Sequence, residues 1–331
     1  MPDCGSQLPL CDVPIRFDTY KGCTHACSYC FVNRKYDIKN IEMGESAQSL
    51  TNFIKGKRSL KTSWCDWDIP IHWGGVSDPF QPCEKIYKRS LEALKVFAET
   101  KYPYIVSTKS VLPATPEYLD VISKTNVVFQ VSAVCSKYDE FEKGAPCFEE
   151  RIKAVEKIVP NVKRLVIRVQ PFVLEVEDDV IKNIPRYKNI GVYGIVLEGM
   201  KYRTKRPGTE KWYGDYVIKK SLLARSFERI KGCCHENGIV FLCGENRLRS
   251  MGDDLTCCGC GGLEGFKVNT YNQNSFNCGR KAELTEAQKK IGSATSFKAL
   301  CQDHKFDMAL KKMSFAEAME RYYRQHPDLV S

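Results

Sequence analysis

The sequence predicts an α/β fold in which parallel strands alternate with crossover helices. The units are numerous enough to suit a full or partial barrel better than an open sheet. Three observations carry this prediction. Short apolar runs rich in branched and aromatic residues recur through the first 245 residues. Amphipathic segments with apolar residues three and four apart lie between them. Regular strand–helix alternation then implies parallel strands with right-handed crossovers, whose chemistry sits at the carboxyl ends of the strands.

The expected strands, in order, are Ile69 to Gly75, Tyr104 to Thr108, Val127 to Val134, Leu165 to Phe172, Tyr193 to Leu197 and Ile239 to Cys243. Each is short, apolar and rich in branched or aromatic residues, as buried strands are. The expected helices are Ile86 to Glu99, Thr115 to Lys124, Cys147 to Ile158 and Ile218 to Asn237. After residue 245 the character changes. The chain divides into 1–245, the α/β unit; 246–280, a Gly- and Cys-rich segment; and 281–331, a C-terminal helical extension. Thr285 with Gln288, and Ser314 with Glu317, have the spacing of capping boxes at the starts of the last helices. No internal repeat or low-complexity tract interrupts the chain.

At 331 residues the protein can bury a large core, and 43% hydrophobic with 27% charged residues is a soluble globular composition. No apolar run approaches the roughly 20 residues needed to span a bilayer. The amino terminus lacks a basic segment followed by an apolar one, so a cytoplasmic protein with no membrane partner is expected. In that reducing compartment 17 cysteines point to metals or catalysis rather than to disulfides. A formal net charge of +10 admits an anionic partner such as DNA or RNA, although 40 acidic residues are mixed among the 50 basic ones.

The sharpest local signal is GCTHACSYCF, which sets Cys23, Cys27 and Cys30 on one short stretch. A structural zinc site wants four protein ligands, and only His25 stands nearby as a fourth. An iron-sulfur cubane can be held through three of its irons, leaving the fourth open to a ligand that is not protein. Three cysteines are then the full requirement. Zinc completed by His25 or a distant residue, and plain unligated thiols, remain the alternatives.

CTHACSYC followed by an aromatic resembles the CxxxCxxC signature of the radical S-adenosylmethionine superfamily. Within it the chain is similar to the spore photoproduct lyase and DNA repair photolyase branch. FDTYKGCTHACSYCF, GGVSDPFQPCEK, YIVSTKS, VSAV and EKGAPCFEERIKAVEKI carry this resemblance over residues 15 to 175. The resemblance implies a partial (β/α)6, TIM-like barrel with a [4Fe-4S] cluster on Cys23, Cys27 and Cys30. It implies S-adenosylmethionine bound to the open iron, and reductive cleavage to a 5′-deoxyadenosyl radical. A one-electron donor such as flavodoxin or ferredoxin follows as a partner. Ser77, Lys109 and Ser132 match positions that hold the methionine part of the cofactor in the lyases, and Gly74 and Gly75 match glycines that let backbone approach its amino group. Without the resemblance, Lys109 would pass for a solvated lysine and the serines for loop caps.

The departures bear on chemistry. In the lyases a cysteine two residues before the serine matched by Ser77 returns hydrogen to the product radical; here that position is Gly75. The relay tyrosine after the last cluster cysteine is Phe31. Tyr29 remains as a redox-capable residue, and Cys83 is a substitute donor if its loop folds over the site.

Two further features lie outside the mapped resemblance or beside it. Cys243, Cys257, Cys260 and Cys278 are candidate ligands of an auxiliary iron-sulfur or zinc site, against the alternative of reactive or buried thiols. Lys201, Arg203, Lys205, Arg206, Lys211, Trp212 and Tyr213 interleave basic and aromatic side chains on an expected loop at the catalytic face. They could contact phosphates and stack bases, or form a solvated loop. Glu198, at the same strand end, is a candidate polar contact to substrate. The expected substrate is therefore nucleic acid, with a peptide or small molecule, modified with help from the auxiliary site, as the alternative.

Overall fold

The computed structural model describes residues 1–4, 10–34, 40–59, 62, 69–212, 214–254, 256–269, 272–279 and 313–327. Its strands are β1 (Asp3–Cys4), β2 (Ile15–Phe17), β3 (Tyr20–Lys21), β4 (Glu42–Met43), β5 (Ile71–Trp73), β6 (Tyr104–Thr108), β7 (Val127–Ser132), β8 (Arg164–Phe172), β9 (Gly194–Gly199), β10 (Lys201–Tyr202), β11 (Thr209–Trp212), β12 (Asp215–Ile218) and β13 (Val240–Cys243). Its helices are α1 (Ala47–Ile54), α2 (Glu84–Tyr87), α3 (Arg89–Thr100), α4 (Pro116–Ile122), α5 (Phe148–Ile158), α6 (Glu177–Ile190), α7 (Lys220–Glu236), α8 (Gln273–Asn277) and α9 (Phe315–Gln325). The expected helix around Thr285 lies outside the described residues. Ser314 and Glu317 do form a capping box at the start of α9.

The central sheet runs β1-β2-β5-β6-β7-β8-β9-β13. Only the β1–β2 pair is antiparallel; every other neighbour is parallel. Space order therefore follows chain order from β2 onward, as right-handed crossovers all packed on one side produce. Alternate residues of each strand point to opposite faces. One set, including Trp73, Tyr104, Phe129, Ile167, Leu197 and Phe241, packs under the helices in the main core. Phe97 of α3 stacks on Tyr104 with centroids 4.0 Å apart, and Trp73 sits among Phe17, Phe80 and Phe97.

The other face carries a smaller apolar cluster of Val13, Ile105, Val128, Val166, Val196 and Leu242, closed by Cys258, Cys260 and Phe266. The Cys-rich segment is thus the floor of the sheet face that no crossover helix covers.

Several elements escaped the sequence analysis for physical reasons. α6 contains Pro185, which normally ends a helix, yet three acidic residues in its first turn favour the positive end of the helix dipole and Gly191 closes it with φ of 91°. The expected helix from Ile86 breaks at Lys88, whose φ of 53° separates α2 from α3. The expected loop after β9 is instead an antiparallel sheet of order β10-β12-β11. Its turn residues Pro207 and Gly208 (φ 72°) allow the reversal that basic composition obscured. No helix among the described residues is long and apolar enough to cross a membrane.

Candidate active site

The cysteine loop follows β3 and crosses the carboxyl end of the parallel sheet. Turn hydrogen bonds from Ala26 N to Cys23 O (3.4 Å) and from Cys30 N to Cys27 O (3.0 Å) fold it on itself, with Ala26 held at a φ of 49°. The other motif segments hold it in place. Gln81, from the loop after β5, donates to Gly22 O (3.0 Å) and accepts from Thr24 N (2.9 Å). Ser28 N donates to Phe141 O (2.9 Å) and Gly144 N to His25 O (3.2 Å). A Cβ at Gly144 would stand 2.4 Å from Thr24 O, so only glycine permits this approach.

Two buried ion pairs complete the seat. Asp78, 8% exposed, accepts from Thr108 Oγ1 (2.7 Å), Lys109 N (2.6 Å) and Phe80 N (2.9 Å), and lies 3.1 Å from His25 Nε2. His25 Nδ1 faces Gly144 O at 3.0 Å. Both ring nitrogens are thus turned to oxygen, which removes His25 as a fourth metal ligand. Glu142, 1% exposed, pairs with Arg151 of α5 at 2.5 Å, lies 3.7 Å from Lys109 Nζ and accepts from the Tyr29 hydroxyl. Burial, then the Glu142 charge, pushes the Tyr29 phenol far above its ordinary value. Neither Glu142 nor Arg151 stood out in the sequence, because an acid ahead of a helix resembles a cap and an arginine within one resembles a surface residue.

Among the described residues no three histidine, cysteine, aspartate or glutamate side chains converge in ligating geometry. Cys23, Cys27 and Cys30 nevertheless share one turn and sense one another electrostatically. Burial pushes Cys23 up to about 12. It raises Cys27 too, with the Lys109 charge opposing. Three sulfur donors, with no fourth protein donor among the described residues, fit a cubane better than a tetrahedral ion, after side-chain rotation.

The expected cofactor contacts gather at the same sheet end. Ser77 Oγ donates to Tyr20 O at 2.7 Å, Ser132 ends β7, and Lys109 Nζ lies 5.9 Å from the Tyr29 ring centroid. Gly74 has a reason internal to the fold: its φ is 89° and a Cβ there would meet Ser107 O at 2.5 Å. Gly75 faces Arg16 Cδ at 3.3 Å. Cys83 caps α2 with its thiol pushed up to about 11 by burial and Glu84. Phe31 is 56% exposed.

Below this end runs a polar belt of which the sequence analysis singles out only Glu198 and Lys201. Arg16 meets His72 Nδ1, and His72 Nε2 lies 3.3 Å from Ser107 Oγ. Ser107 donates to Gln130 Oε1 (2.8 Å), which also accepts from Arg168 (3.1 Å). Arg168 Nε donates to Gln170 (2.5 Å), and Gln170 to Glu198 (2.6 Å). Lys201 Nζ closes the row 3.2 Å from Glu198. Burial and the two flanking guanidiniums hold His72 well below its ordinary value, so it is neutral and can relay a hydrogen bond. The available signal was polar residues two apart near the ends of otherwise apolar strands: Ser107 and Lys109, Gln130 and Ser132, Arg168 and Gln170.

Among the remaining candidates, Cys257 lies 3.9 Å from Cys258, sulfur to sulfur, whereas Cys278 is exposed at the end of α8. Cys243 belongs to the helix-side core. Arg203, Lys205, Arg206 and Lys211 are exposed on or beside the β10–β12 sheet, with Arg206 over the Tyr202 ring at 4.6 Å and Arg247 over Trp212 at 5.7 Å. Tyr213 lies outside the described residues.

No family model and no curated protein matches the sequence. Solved structures do. Spore photoproduct lyase complexed with dinucleoside spore photoproduct matches with a TM-score of 0.54 and 14% identity, over 68% of this chain and 74% of that one. The chain has the fold of radical S-adenosylmethionine enzymes. A lyase variant with bound AdoMet and dinucleoside spore photoproduct gives a TM-score of 0.53, again at 14% identity, 68% and 74%. Streptococcus suis SuiB bound to precursor peptide SuiA gives 0.53 at 13% identity, over 72% of this chain and 51% of SuiB. The chain thus spans about half of the SuiB chain.

Burial raises the Asp78 carboxyl, but His25 and the Lys109 and Thr108 hydrogen bonds outweigh it, and the net position is below the ordinary value. Such a group stabilises the fold above its unfolded pKa, near pH 4, and that contribution is lost as pH falls through the lower folded value. Asp78→Asn should therefore destabilise at neutral pH by about 1–3 kcal/mol and flatten the acid limb of the stability–pH curve. Urea midpoints measured from about pH 3 to pH 7 check this, and parallel curves for variant and wild type would remove the assignment.

Proposed function

We propose that this protein is a radical S-adenosylmethionine enzyme acting on nucleic acid, in repair or modification. The observation that carries the reading is the cysteine loop, seated by Asp78, Gln81, Glu142 and Gly144 across the strand ends where Ser77, Lys109 and Ser132 gather. In this reading the parallel sheet curves as a partial (β/α)6 barrel, with the polar belt and the floor on its inner face. The protein works in the cytoplasm, where thiols stay reduced. Cys23, Cys27 and Cys30 would hold a [4Fe-4S] cluster, with S-adenosylmethionine beside it. When bound, that pair supplies a one-electron cleavage of the sulfonium to a 5′-deoxyadenosyl radical, with flavodoxin or ferredoxin as electron source.

The residues themselves position and protect. Raised thiols at Cys23 and Cys27 mean that metal binding releases protons. Lys109 would exchange its 3.7 Å approach to Glu142 for the carboxylate of a bound cofactor, while the Glu142–Arg151 pair would keep the buried carboxylate compensated. The serine hydroxyls and the backbone at Gly74 and Gly75 supply neutral polar contacts. Glu198 and the belt face the space below, where they can orient polar groups of a substrate.

Two structural neighbours bear on substrate. One is a lyase complexed with a dinucleoside photoproduct and the other is bound to a precursor peptide. The exposed basic side chains of Arg203, Lys205, Arg206 and Lys211, with half-buried Trp212 beside them, favour nucleic acid. The alternative reading, modification of a peptide or small molecule, draws on the second cysteine group.

Anaerobically purified protein should be brown, with iron, sulfide and 5′-deoxyadenosine production, and Cys23→Ala, Cys27→Ala or Cys30→Ala should each abolish cleavage. Lys109→Ala and Ser77→Ala should weaken S-adenosylmethionine binding by about tenfold or more with the cluster spectrum retained. Equal binding in both would sink the residue assignment.

Binding to single-stranded DNA or RNA should weaken steeply with salt. A variant neutralised at Arg203, Lys205, Arg206 and Lys211 should show a shallower salt slope by fluorescence anisotropy. A slope unchanged by neutralisation would favour the peptide reading.

With Gly75 and Phe31 in place of the donor and relay residues, no side chain there can return a hydrogen atom to a thymine radical. Reduced protein given S-adenosylmethionine and dinucleotide spore photoproduct should therefore not release thymine over multiple turnovers. Chromatography that found repair at the rate of a lyase assayed in parallel would refute this.

A further inference from the structure

The floor of the helix-free sheet face is built around sulfur. The loop from Thr256 to Leu263 has no regular secondary structure, yet it is held rigidly. Arg164 donates to Gly259 O (2.9 Å) and Gly261 O (2.8 Å), and Gln130 donates to Cys258 O (3.2 Å). Gly259 has a φ of 76°, and a Cβ there would stand 2.7 Å from Val166 Cγ2. The amino-terminal segment is fastened to the same loop region. Asn269 donates through its backbone to Asp12 O (2.7 Å) and through its side chain to Cys11 O (3.0 Å). These constraints place Cys257, Cys258 (1% exposed) and Cys260 (0%) in one cluster, with Cys11 (7%) within electrostatic reach of Cys257, although no three of them stand in ligating geometry as they are.

Two observations separate this group from ordinary buried cysteine. Cys257 and Cys258 lie 3.9 Å apart, sulfur to sulfur. Two thiolates on one tetrahedral zinc, each at about 2.3 Å, would lie about 3.8 Å apart. Arg249, 3% exposed, donates to Cys243 O (3.1 Å), Leu10 O (3.2 Å) and Asn246 Oδ1 (3.2 Å), lies 3.9 Å from Asp12, and keeps an Nε with no hydrogen-bond partner. A buried guanidinium is costly beside neutral thiols and well matched to the surplus negative charge of a metal bound by four thiolates.

We propose that Cys11, Cys257, Cys258 and Cys260 form a second, tetrathiolate metal centre that closes the floor of the sheet. With every position filled by protein it is a structural site, and it holds a loop whose own apolar burial is small. Cys11, from the other end of the chain, takes the place that spacing alone gave to Cys278, and Cys243 lies outside the set. The four sulfurs converge by rotation about their side-chain bonds when the metal binds. Zinc and an iron-sulfur cluster share this ligand chemistry. The proposal does not depend on the chemistry at Cys23, Cys27 and Cys30.

The test uses the full chain carrying Cys23→Ala, Cys27→Ala and Cys30→Ala, so that only the second centre can load. Purified with zinc, and separately with iron and sulfide under anaerobic conditions, it should retain zinc or a cluster, and which one it retains identifies the metal. Adding Cys11→Ser or Cys257→Ser should cut the bound metal by more than half, whereas Cys278→Ser should leave it unchanged. Should those variants fail to fold, the triple variant itself serves. A strong chelator should expose four further thiols to alkylation and lower its melting temperature. A triple variant that binds neither metal, or a loss on Cys278→Ser equal to that on Cys11→Ser, overturns the proposal.

Discussion

The buried pair of Glu142 and Arg151 is the constraint on which the carboxyl end of the sheet depends. Its members are 1% and 2% exposed and 2.5 Å apart. Two charges at that depth lose most of their hydration, and removing either one from such a pair typically costs about 3–5 kcal/mol because the other is left uncompensated. The pair is retained where it joins three separate pieces of chain. Glu142 receives the Tyr29 hydroxyl from the cysteine loop, lies near Lys109 from the end of β6, and is anchored by α5 through Arg151. Arg151 also donates to Ser132 O, so the end of β7 is fixed by the same side chain. Electrostatics here act as a fastening whose position is set by packing.

The same logic, with weaker bonds, organises the helix-free face of the sheet. From Arg16 to Lys201 each polar group meets a neighbour from the adjoining strand, so no residue of the belt has a conformation independent of the next. In a region of low dielectric such chains are strong when complete and costly when broken. Under the function proposed above, a substrate would meet groups already oriented by one another. Guanidinium, amide and carboxylate alternate, a lining able to match donors and acceptors on a base or a peptide alike.

Much of the fold was legible because burial leaves a direct trace in composition. The runs Tyr104–Thr108 and Val127–Ser132 coincide with strands since both faces are shielded from water. What stayed hidden required knowledge of neighbours. Pro185 lies inside α6, where tertiary packing of Val180, Ile184 and Tyr187 outweighs the lost backbone bond. Cys23, Cys27 and Cys30 announced themselves by spacing, but Glu142 did not, because its meaning comes from Tyr29, 113 positions away. The place that the proposed second centre gives to Cys11 was hidden for the same reason, since Cys11 lies far along the chain from Cys257 and Cys260. Glu198 was found because a lone carboxylate at a strand end stands out, while Gln130 and Gln170 were concealed within runs that seemed wholly apolar.

The close approach of Gly144 to the backbone of Thr24 and His25 has a consequence for how chain length can vary among related proteins. Glu142, Gly144 and Arg151 grip three different partners at once, so the connection between β7 and α5 cannot gain or lose a residue without disengaging at least one of them. The turn at 203–208, exposed and open around Gly208, carries no such obligation. Insertions and deletions should accumulate there, next to the space where a substrate would lie, and leave the cysteine loop and its seat as a block of constant length.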